Sequence, residues 1–421
     1  MANTTEVADL ASLTTVAQTL QHPAFGDATW NLQPTRSGRL PVAAGRGGPL
    51  AIGWEVHGEG PIRVVFLMGL GSFKSAWQRQ TLYFGHERHT EYSVLLLDNR
   101  GMGDSDRPLM RYSTREMALD ALEVLEHVGF LEPAAAAELA ALSPATTAAP
   151  TAGDAAAAAA GDAAAAARTV HVVGLSMGGM VAQELACLVP DRLASLSLCC
   201  TAALIENTSP TIWENLASRA ALLIPKGLEA SVEGAAGRIF SQAWLAQPDD
   251  VRLPARGTHL VGPPDRAKYV AAAAAVAGKD AATTADGSTA DDTGGNSSPW
   301  YRTFDNNYQR FVAQELHKRT DPRFTTRGFL LQLVACGWHH KSAAQLAALA
   351  DAVGRERLMV VHGTEDHMIS VPHGRKLVEQ LQPAHAHIVE GMGHAPLAER
   401  WAWYNETLAA LFHKGETLAG R

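Results

Sequence analysis

The sequence predicts an α/β fold in which a mostly parallel central β-sheet is covered by helices on both faces. Two observations predict it. Short, continuously apolar segments alternate along the chain with segments whose apolar residues recur at helical spacing. The apolar segments are too short for typical helices and end at glycine or polar residues, which is typical of strands buried on both faces. Regular alternation of such strands with helices indicates a parallel sheet with crossover helices.

The apolar segments predict six buried strands and four helices of the sheet domain. The predicted strands cover residues 62–68, 93–98, 169–174, 193–199, 357–362 and 387–390. Residues 38–57 add an expected antiparallel hairpin at one edge of the sheet. The predicted helices cover residues 114–128, 177–188, 372–381 and 396–412. The helical assignment rests on the 3.6-residue period of the apolar positions.

The alternation of strand and helix stops after Cys200 and resumes near Asp351, which predicts an inserted helical lid. Aromatic residues are spread through this stretch: Trp213, Phe240, Trp244, Trp300 and Phe311. The expected organisation therefore has four parts. They are an N-terminal extension (1–36), a first part of the sheet domain (37–203), a lid (204–350) and a second part of the sheet domain (351–421).

Two low-complexity stretches interrupt this organisation. Residues 133–167 are mostly alanine, and residues 271–298 are rich in alanine, threonine, aspartate and glycine. Neither has a sustained apolar period, so neither is expected to join a packed core. We expect both to be disordered surface insertions.

Composition and charge narrow the function classes. The 421 residues carry a formal net charge of -8, which argues against a nucleic-acid binder because such a protein needs a basic face. The four cysteines lack metal-ligand spacing and are expected to be buried free thiols in a reducing compartment. The sequence has no basic start followed by an apolar run and no apolar stretch of about 20 residues outside the alanine tracts. We therefore expect a cytoplasmic protein without a transmembrane segment; its oligomeric state stays open.

The sharpest local signal is a G-x-S-x-G motif centred on Ser176, with an apolar strand before it and a helix after it. A serine in such a strand-to-helix turn adopts a strained backbone conformation and lifts its hydroxyl above the sheet edge. Gly174 and Gly178 are expected to remove side chains that would clash where strand and helix cross. The motif predicts that Ser176 is a nucleophile.

A serine hydroxyl is a weak nucleophile and needs a base and an acid. His394 follows the last predicted strand in a glycine-containing loop, and Asp366 directly follows the preceding strand. The chain order Ser, Asp, His is that of α/β-hydrolases. The competing histidines are His339, His340 and His367, and the competing acids are Glu365 and Asp351.

An acyl-transfer site also needs donors for a developing oxyanion. We expect one to be the N–H of Met177, the residue after the nucleophile. The other is expected to be the N–H of Leu70, in the flexible loop Met68-Gly69-Leu70-Gly71-Ser72 after a buried strand.

Taken together, these residues resemble the α/β-hydrolase superfamily, specifically its lidded esterase- and lipase-like members, from about residue 50 to residue 412. The resemblance includes Asp98-Asn-Arg-Gly-Met-Gly-Asp-Ser105, which matches the family's D-x-R-G-x-G-x-S turn. It implies that this turn is structural, with a direct catalytic role for Asp98 or Arg100 as the alternative. Met68-Gly69 departs from the His-Gly that the family often has in the oxyanion loop.

The resemblance implies a hydrolase that needs no cofactor and no metal, with a small-molecule ester as its partner. Uncharged carboxylic esters, including lipid-like acyl esters, are the expected substrates because the lid is apolar. Other triad chemistry remains open: carbon–carbon bond hydrolysis, thioester or peptide hydrolysis, and acyl transfer. A non-catalytic ligand-binding protein on the same fold is a further alternative. The last alternative is an interaction protein that binds its partners through the alanine-rich segments.

Overall fold

The computed structural model describes residues 10–133, 168–206, 227–269 and 300–421. The low-complexity stretches predicted at 133–167 and 271–298 therefore lie outside the described residues, apart from Pro133. Trp213 of the predicted lid lies outside them as well.

Eight strands form one mixed sheet in the order β1-β2-β4-β3-β5-β6-β7-β8. β1 pairs with β2 and β2 with β4 in antiparallel fashion, whereas the remaining neighbours are parallel. The strands are β1 (Arg36–Val42), β2 (Leu50–His57), β3 (Ile62–Leu67), β4 (Tyr92–Leu97), β5 (Val170–Leu175), β6 (Leu193–Cys199), β7 (Leu358–Gly363) and β8 (His385–Val389). The predicted mostly parallel sheet with an antiparallel hairpin at one edge is confirmed.

The α-helices of the described residues cover this sheet or lie in the described parts of the stretch between β6 and β7. They are α1 (Leu10–Leu13), α2 (Val16–Gln21), α3 (Gln78–Gln80), α4 (Thr114–His127), α5 (Met177–Leu188), α6 (Leu228–Ile239), α7 (Gln242–Leu245), α8 (Asn307–Thr320), α9 (Thr326–Trp338), α10 (Ala343–Val353), α11 (Val371–Leu381), α12 (Pro396–Glu399) and α13 (Trp401–Leu418). A π-helical segment, Thr81–Glu87, follows α3. No helix among these is both long and apolar enough to cross a bilayer.

The strands are apolar on both faces because each face packs under helices. Along β3, Val65 and Leu67 point into one hydrophobic cluster, whereas Val64 and Phe66 point into the other. The first cluster includes side chains of α4, α5, α10 and α11, and the second includes those of α6, α8 and α13. Burying each such side chain is worth about 1.5–3 kcal/mol relative to leaving it in water. The two cores explain why period-2 alternation is missing from these strands.

The helix predicted over residues 396–412 is wrong in two details, because it is interrupted at Arg400 and continues beyond Phe412 to Leu418. Two helices, α12 and α13, occupy this region, and Arg400 between them has a non-helical backbone with φ -131° and ψ 38°. A break of one residue leaves the apolar period of the flanking segments almost intact, so periodicity did not reveal it. The break ends the short helix at Glu399, whose carboxylate contacts Gly393 and Ser241.

Candidate active site

Ser176 lies in the turn between β5 and α5, at the carboxyl end of the parallel strands. Its φ of 58° and ψ of -122° fall outside the regions that residues other than glycine normally adopt. The turn is tied down by its backbone: the Ser176 N–H donates to Cys199 O over 2.9 Å, and the Thr201 hydroxyl donates to Ser176 O over 2.7 Å. The strained turn predicted for the nucleophile is present.

The two motif glycines are required by close backbone contact. A β-carbon at Gly174 would lie 2.4 Å from Gly178 O, and one at Gly178 would lie 2.0 Å from Leu67 O. Both distances are far below van der Waals contact, so any side chain at either position would push α5 away from the sheet. The predicted steric role of Gly174 and Gly178 is confirmed.

Asp366 and His394 form a buried hydrogen-bonded pair. His394 Nδ1 lies 2.7 Å from Asp366 Oδ2. The other carboxylate oxygen, Oδ1, accepts the N–H groups of Met368 and Ile369 over 2.9 and 2.8 Å. His362 Nε2 lies 3.3 Å from Oδ2 and 2.7 Å from Ile369 O. The carboxylate is therefore held in one orientation by backbone and side-chain donors.

The environment of Asp366 keeps its carboxylate ionised. Burial alone would raise its pKa, but the neighbouring His394 and His362 hold the pKa of Asp366 well below its usual value. An ionised acceptor requires His394 to carry its proton on Nδ1, which leaves Nε2 free to act as a base. Glu365 and His367, the adjacent competitors, are both exposed to solvent.

Ser176 and the Asp366–His394 pair lie at the same edge of the sheet. The loop that carries His394 crosses the end of β7, where a β-carbon at Gly363 would lie 2.0 Å from Met392 O. The hydrogen bonds of the described residues do not include one between Ser176 and His394. Catalytic hydrogen bonds in ligand-free sites are often long and tighten only when substrate binds.

The loop after β3 lies against the predicted nucleophile. A β-carbon at Gly69 would be 3.0 Å from Ser176 Cβ and 3.5 Å from its Oγ. Met177 is the first residue of α5, so its N–H has no acceptor within the helix. In the loop, the Gly71 N–H donates to Gln332 Oε1 over 2.9 Å, whereas the Leu70 N–H has no acceptor among the described residues. The amides of Met177 and Leu70, the two predicted oxyanion donors, are thus both without a hydrogen-bond acceptor among the described residues.

Gln332 is a residue of the site that the sequence analysis missed. It lies on α9 and is buried, and its amide bridges two loops of the sheet domain. Its Oε1 accepts the Gly71 N–H, and its Nε2 donates to Arg100 O over 3.0 Å. A single glutamine in an apolar helix segment gives no periodic or motif signal, so only the tertiary contact reveals it.

Glu399 is a second residue that the sequence analysis missed. Its Oε1 accepts the N–H and the hydroxyl of Ser241, each over 2.7 Å, and its Oε2 accepts the N–H of Gly393. His394 N–H in turn donates to Ile239 O over 2.6 Å, at the end of α6. The loop that carries His394 is therefore fastened to the helices between β6 and β7. Burial raises the pKa of Glu399 despite these donors.

The D-x-R-G-x-G-x-S turn is held by buried ion pairs. Lys74 Nζ lies 3.0 Å from Asp98 Oδ2 and also contacts Asp104, and the Lys74 N–H donates to Asp98 Oδ1. Arg100 forms a bidentate pair with Asp120, with both distances 2.7 Å. These contacts pair both oxygens of Asp98 and the Nε and Nη2 groups of Arg100, which agrees with the structural role that the resemblance implies.

One group of side chains that includes Asp366 and His394 has the composition of a metal site. Potential ligand atoms of Cys200, Asp366 and His394 lie within 4.8 Å of one another. Burial raises the pKa of the Cys200 thiol, which keeps it protonated, and thiolate is the form that binds metal. The Nδ1 of His394 is already committed to Asp366. The chemistry of this group therefore favours a hydrogen-bonded pair beside a neutral thiol.

The cysteines are free, but their predicted burial holds only in part. Cys199 and Cys200 are buried, whereas Cys187 is exposed and Cys336 is partly buried. Cys187 lies on the outer face of α5, where the apolar neighbours in sequence gave no sign of exposure.

The aromatic side chains expected to line the lid pack largely on one another. Phe240 stacks on Trp244 with ring centroids 4.7 Å apart and meets Phe311 edge-on at 5.2 Å. By contrast, Phe329 of α9 contacts the loop after β3, where a β-carbon at Gly71 would lie 2.6 Å from its ring. Phe329 thus contacts the candidate oxyanion loop closely, and the ring of Phe324 lies 3.8 Å from the same β-carbon position.

A cavity of about 170 Å³ has a lining that includes none of Ser176, Asp366 and His394. Its lining includes Glu206, His340, Lys341, His373 and Lys376. Two of its cations are paired, Lys341 with Glu184 and Lys376 with Glu206. None of its lining residues belongs to the predicted site.

Comparison with known proteins agrees with this fold. A model of the Alpha/beta hydrolase family matches residues 64–407. The chain is 25% identical over 188 residues to 3-oxoadipate enol-lactonase 2 of Acinetobacter baylyi, covering 45% of this chain and 53% of that one. It is also 30% identical over 170 residues to the dihydrolipoyllysine-residue acetyltransferase component of the acetoin cleaving system of Pseudomonas putida. This match covers 40% of this chain and 35% of that one. The matches thus span about half or less of these relatives.

Among solved structures, the chain resembles a thermophilic esterase from Thermogutta terrifontis. The TM-score is 0.52 and the identity 16%, with 90% of this chain and 99% of that chain covered. At this identity the likeness concerns the fold.

Proposed function

The chain belongs to the alpha/beta hydrolase family, and from that premise we propose that it is a serine hydrolase that cleaves carboxylic esters through an acyl-enzyme. The observation that carries the proposal is the buried Asp366–His394 pair at the sheet edge where Ser176 occupies its strained turn. This is the combination of nucleophile, base and orienting acid that acyl transfer needs.

In the proposed mechanism, Ser176 Oγ attacks the ester carbonyl carbon while His394 Nε2 takes the hydroxyl proton. Asp366 holds the imidazole and stabilises its protonated form. The N–H groups of Leu70 and Met177 stabilise the oxyanion of the tetrahedral intermediate. His394 then donates its proton to the leaving alcohol, and water activated by the same imidazole releases the acid.

We further propose that the helices between β6 and β7, within residues 204–350, act as a lid and favour apolar acyl groups. Phe329 on α9 contacts the oxyanion loop at Gly71, so an apolar side chain borders the position of the substrate carbonyl. The name of the Acinetobacter baylyi relative, an enol-lactonase, supports hydrolysis of an ester bond.

Acyl transfer is the second candidate, because the Pseudomonas putida relative is named for an acetyltransferase component. An acyl-enzyme on Ser176 would serve both reactions, and the acceptor decides between them. Adding a primary alcohol or a thiol during turnover separates them: a transferase forms the new ester or thioester in preference to the free acid.

The test is labelling of the purified protein with a fluorophosphonate, followed by location of the adduct by mass spectrometry. We expect the label on Ser176 and none in S176A. A series of nitrophenyl esters of increasing acyl length then measures the expected apolar preference as kcat/KM. A folded protein that takes up no label and cleaves none of these esters would contradict the proposal and favour a ligand-binding member of the family.

A further inference from the structure

The described residues carry six exposed large hydrophobic side chains, and four of them lie on two adjacent segments. Leu330, Val334 and Trp338 lie on α9, and Leu109 lies in the loop before α4. Single exposed hydrophobic residues are normal on a protein surface, but a group of them marks an interaction site.

The three residues of α9 form one stripe. Their spacing of four residues places them on the same side of the helix, one turn above the other. Their exposed fractions rise along the helix, from 38% for Leu330 through 45% for Val334 to 69% for Trp338. The opposite side of α9 is buried and carries Gln332, so the helix has one face toward the protein and one apolar face toward solvent.

Leu109 lies beside this stripe because its loop touches both ends of α9. At the beginning of the helix, Arg327 Nη2 donates to Arg107 O over 3.1 Å. At its end, the Arg111 guanidinium lies 5.0 Å from the centre of the Trp338 ring. Leu109 stands between these two contacts and is 79% exposed. The four apolar side chains therefore belong to one continuous surface.

The border of this surface is positively charged. Arg107, Arg111 and Arg327 have no carboxylate within ion-pair distance among the described residues. The nearby carboxylates are already paired, Asp106 with Arg39, Asp104 with Lys74 and Arg323, and Asp321 with Arg323. The whole chain has a net charge of -8, whereas this surface carries a local positive charge from three arginines.

We propose that these residues form a docking surface for an anionic phospholipid bilayer. We define it as Leu109, Leu330, Val334 and Trp338 with the three bordering arginines. The apolar side chains would enter the headgroup region, where tryptophan is favoured, and the exposed guanidinium groups of Arg111 and Arg327 would bind lipid phosphates. The Arg107 guanidinium donates to Ser105 O and Gly103 O and would contribute positive charge only. Charge argues against a second copy of the chain as the occupant, since a two-fold contact would set the arginines of one copy against those of the other.

The test measures sedimentation of the full-length chain with vesicles of phosphatidylcholine alone or mixed with phosphatidylglycerol. We expect binding to the mixed vesicles, weakened by added salt, and little binding to phosphatidylcholine. W338S should weaken the partition coefficient at least about tenfold, since it removes an apolar anchor. R111Q should weaken it about fivefold, the equivalent of one arginine near an anionic surface.

Two matched controls change exposed residues outside the docking surface. L418S removes an exposed leucine at the end of α13, and R256Q removes an exposed arginine remote in sequence from α9. Both should bind vesicles as the unchanged chain does. S176A should also bind normally, so that vesicle binding is read independently of the proposed hydrolysis.

Absence of sedimentation with the mixed vesicles, for protein that melts cooperatively, would overturn the proposal. Equal losses in L418S and W338S would overturn it as well, because the effect would then not depend on the surface. A concentration-dependent dimer that W338S dissociates, without vesicle binding, would assign the surface to a second copy instead. Because Trp338 is mostly exposed, its substitution should leave the melting temperature unchanged.

Discussion

His394 Nδ1 lies 2.7 Å from Asp366 Oδ2, and two backbone N–H groups hold the other oxygen of that carboxylate. The carboxylate therefore cannot rotate without losing three donors. This fixes both the direction of the imidazole ring and the position of its proton, so that Nε2 faces away from the acid.

D366N should lower kcat/KM for a nitrophenyl ester by about 10³- to 10⁴-fold, because a neutral amide does not stabilise the imidazolium and its NH₂ group, facing Nδ1, favours the wrong tautomer of His394. The adjacent E365Q is the matched control, since Glu365 is exposed, and it should leave kcat/KM unchanged. A larger loss in E365Q than in D366N would assign the acid to the neighbouring residue.

Q332M should lower kcat by about 10- to 100-fold with little change in KM. The methionine fills the same space but accepts no hydrogen bond from Gly71, so the loop that carries Leu70 loses its tie to α9 and misplaces the oxyanion donor. Steady-state kinetics well below the melting temperature of the variant separates this effect from unfolding.

The control for this variant is Q242M, at an exposed position at the start of α7. It should retain both kinetic constants. An increase in KM alone for Q332M would show that Gln332 contributes to substrate binding and not to placing the oxyanion loop.

E399Q should lower the free energy of unfolding by about 1–3 kcal/mol, the cost of leaving a buried donor unpaired. Its new NH₂ group cannot accept from Gly393, and that N–H has no other acceptor nearby. Chemical denaturation measures the effect, with E406Q on the exposed side of α13 as the control. Equal stabilities of the two variants would show that the Gly393 contact contributes nothing.

D104N should alter the acid dependence of stability. Burial acts to raise the pKa of Asp104, but Lys74 and Arg323 lower it to about 2, below its unfolded value near 4. A carboxylate with a depressed pKa stabilises the folded state above its unfolded pKa, and this contribution is lost as pH falls through the folded pKa.

The difference in free energy of unfolding between the unchanged chain and D104N should therefore have its full size at pH 5. It should disappear as the pH falls from about 4 to about 2. Denaturant titrations at several pH values measure it. D191N, at an exposed aspartate outside the observed ion pairs, should show no such pH-dependent difference. A difference for D104N that stays constant down to pH 2 would contradict the assignment.

Much of the fold follows from local pattern. Continuous apolar segments such as residues 193–199 and the turn around Ser176 are visible in sequence because both depend on residues that are neighbours in the chain. The helix break at Arg400 was missed because one non-helical residue barely changes the apolar period on either side of it. The exposure of Cys187 was missed for a related reason, since it depends on how α5 sits on the sheet.

The sequence by itself determined the parallel sheet, the strained serine turn and the short list of acids and histidines that follow strands. Only the tertiary structure showed that Asp366 pairs with His394 whereas its neighbour Glu365 is exposed, because adjacent residues at the end of a strand point in different directions. It alone also revealed Gln332 and Glu399, whose partners lie far away along the chain or in another element. Hydrogen bonds between distant segments depend on how the helices dock, and no local pattern encodes that geometry.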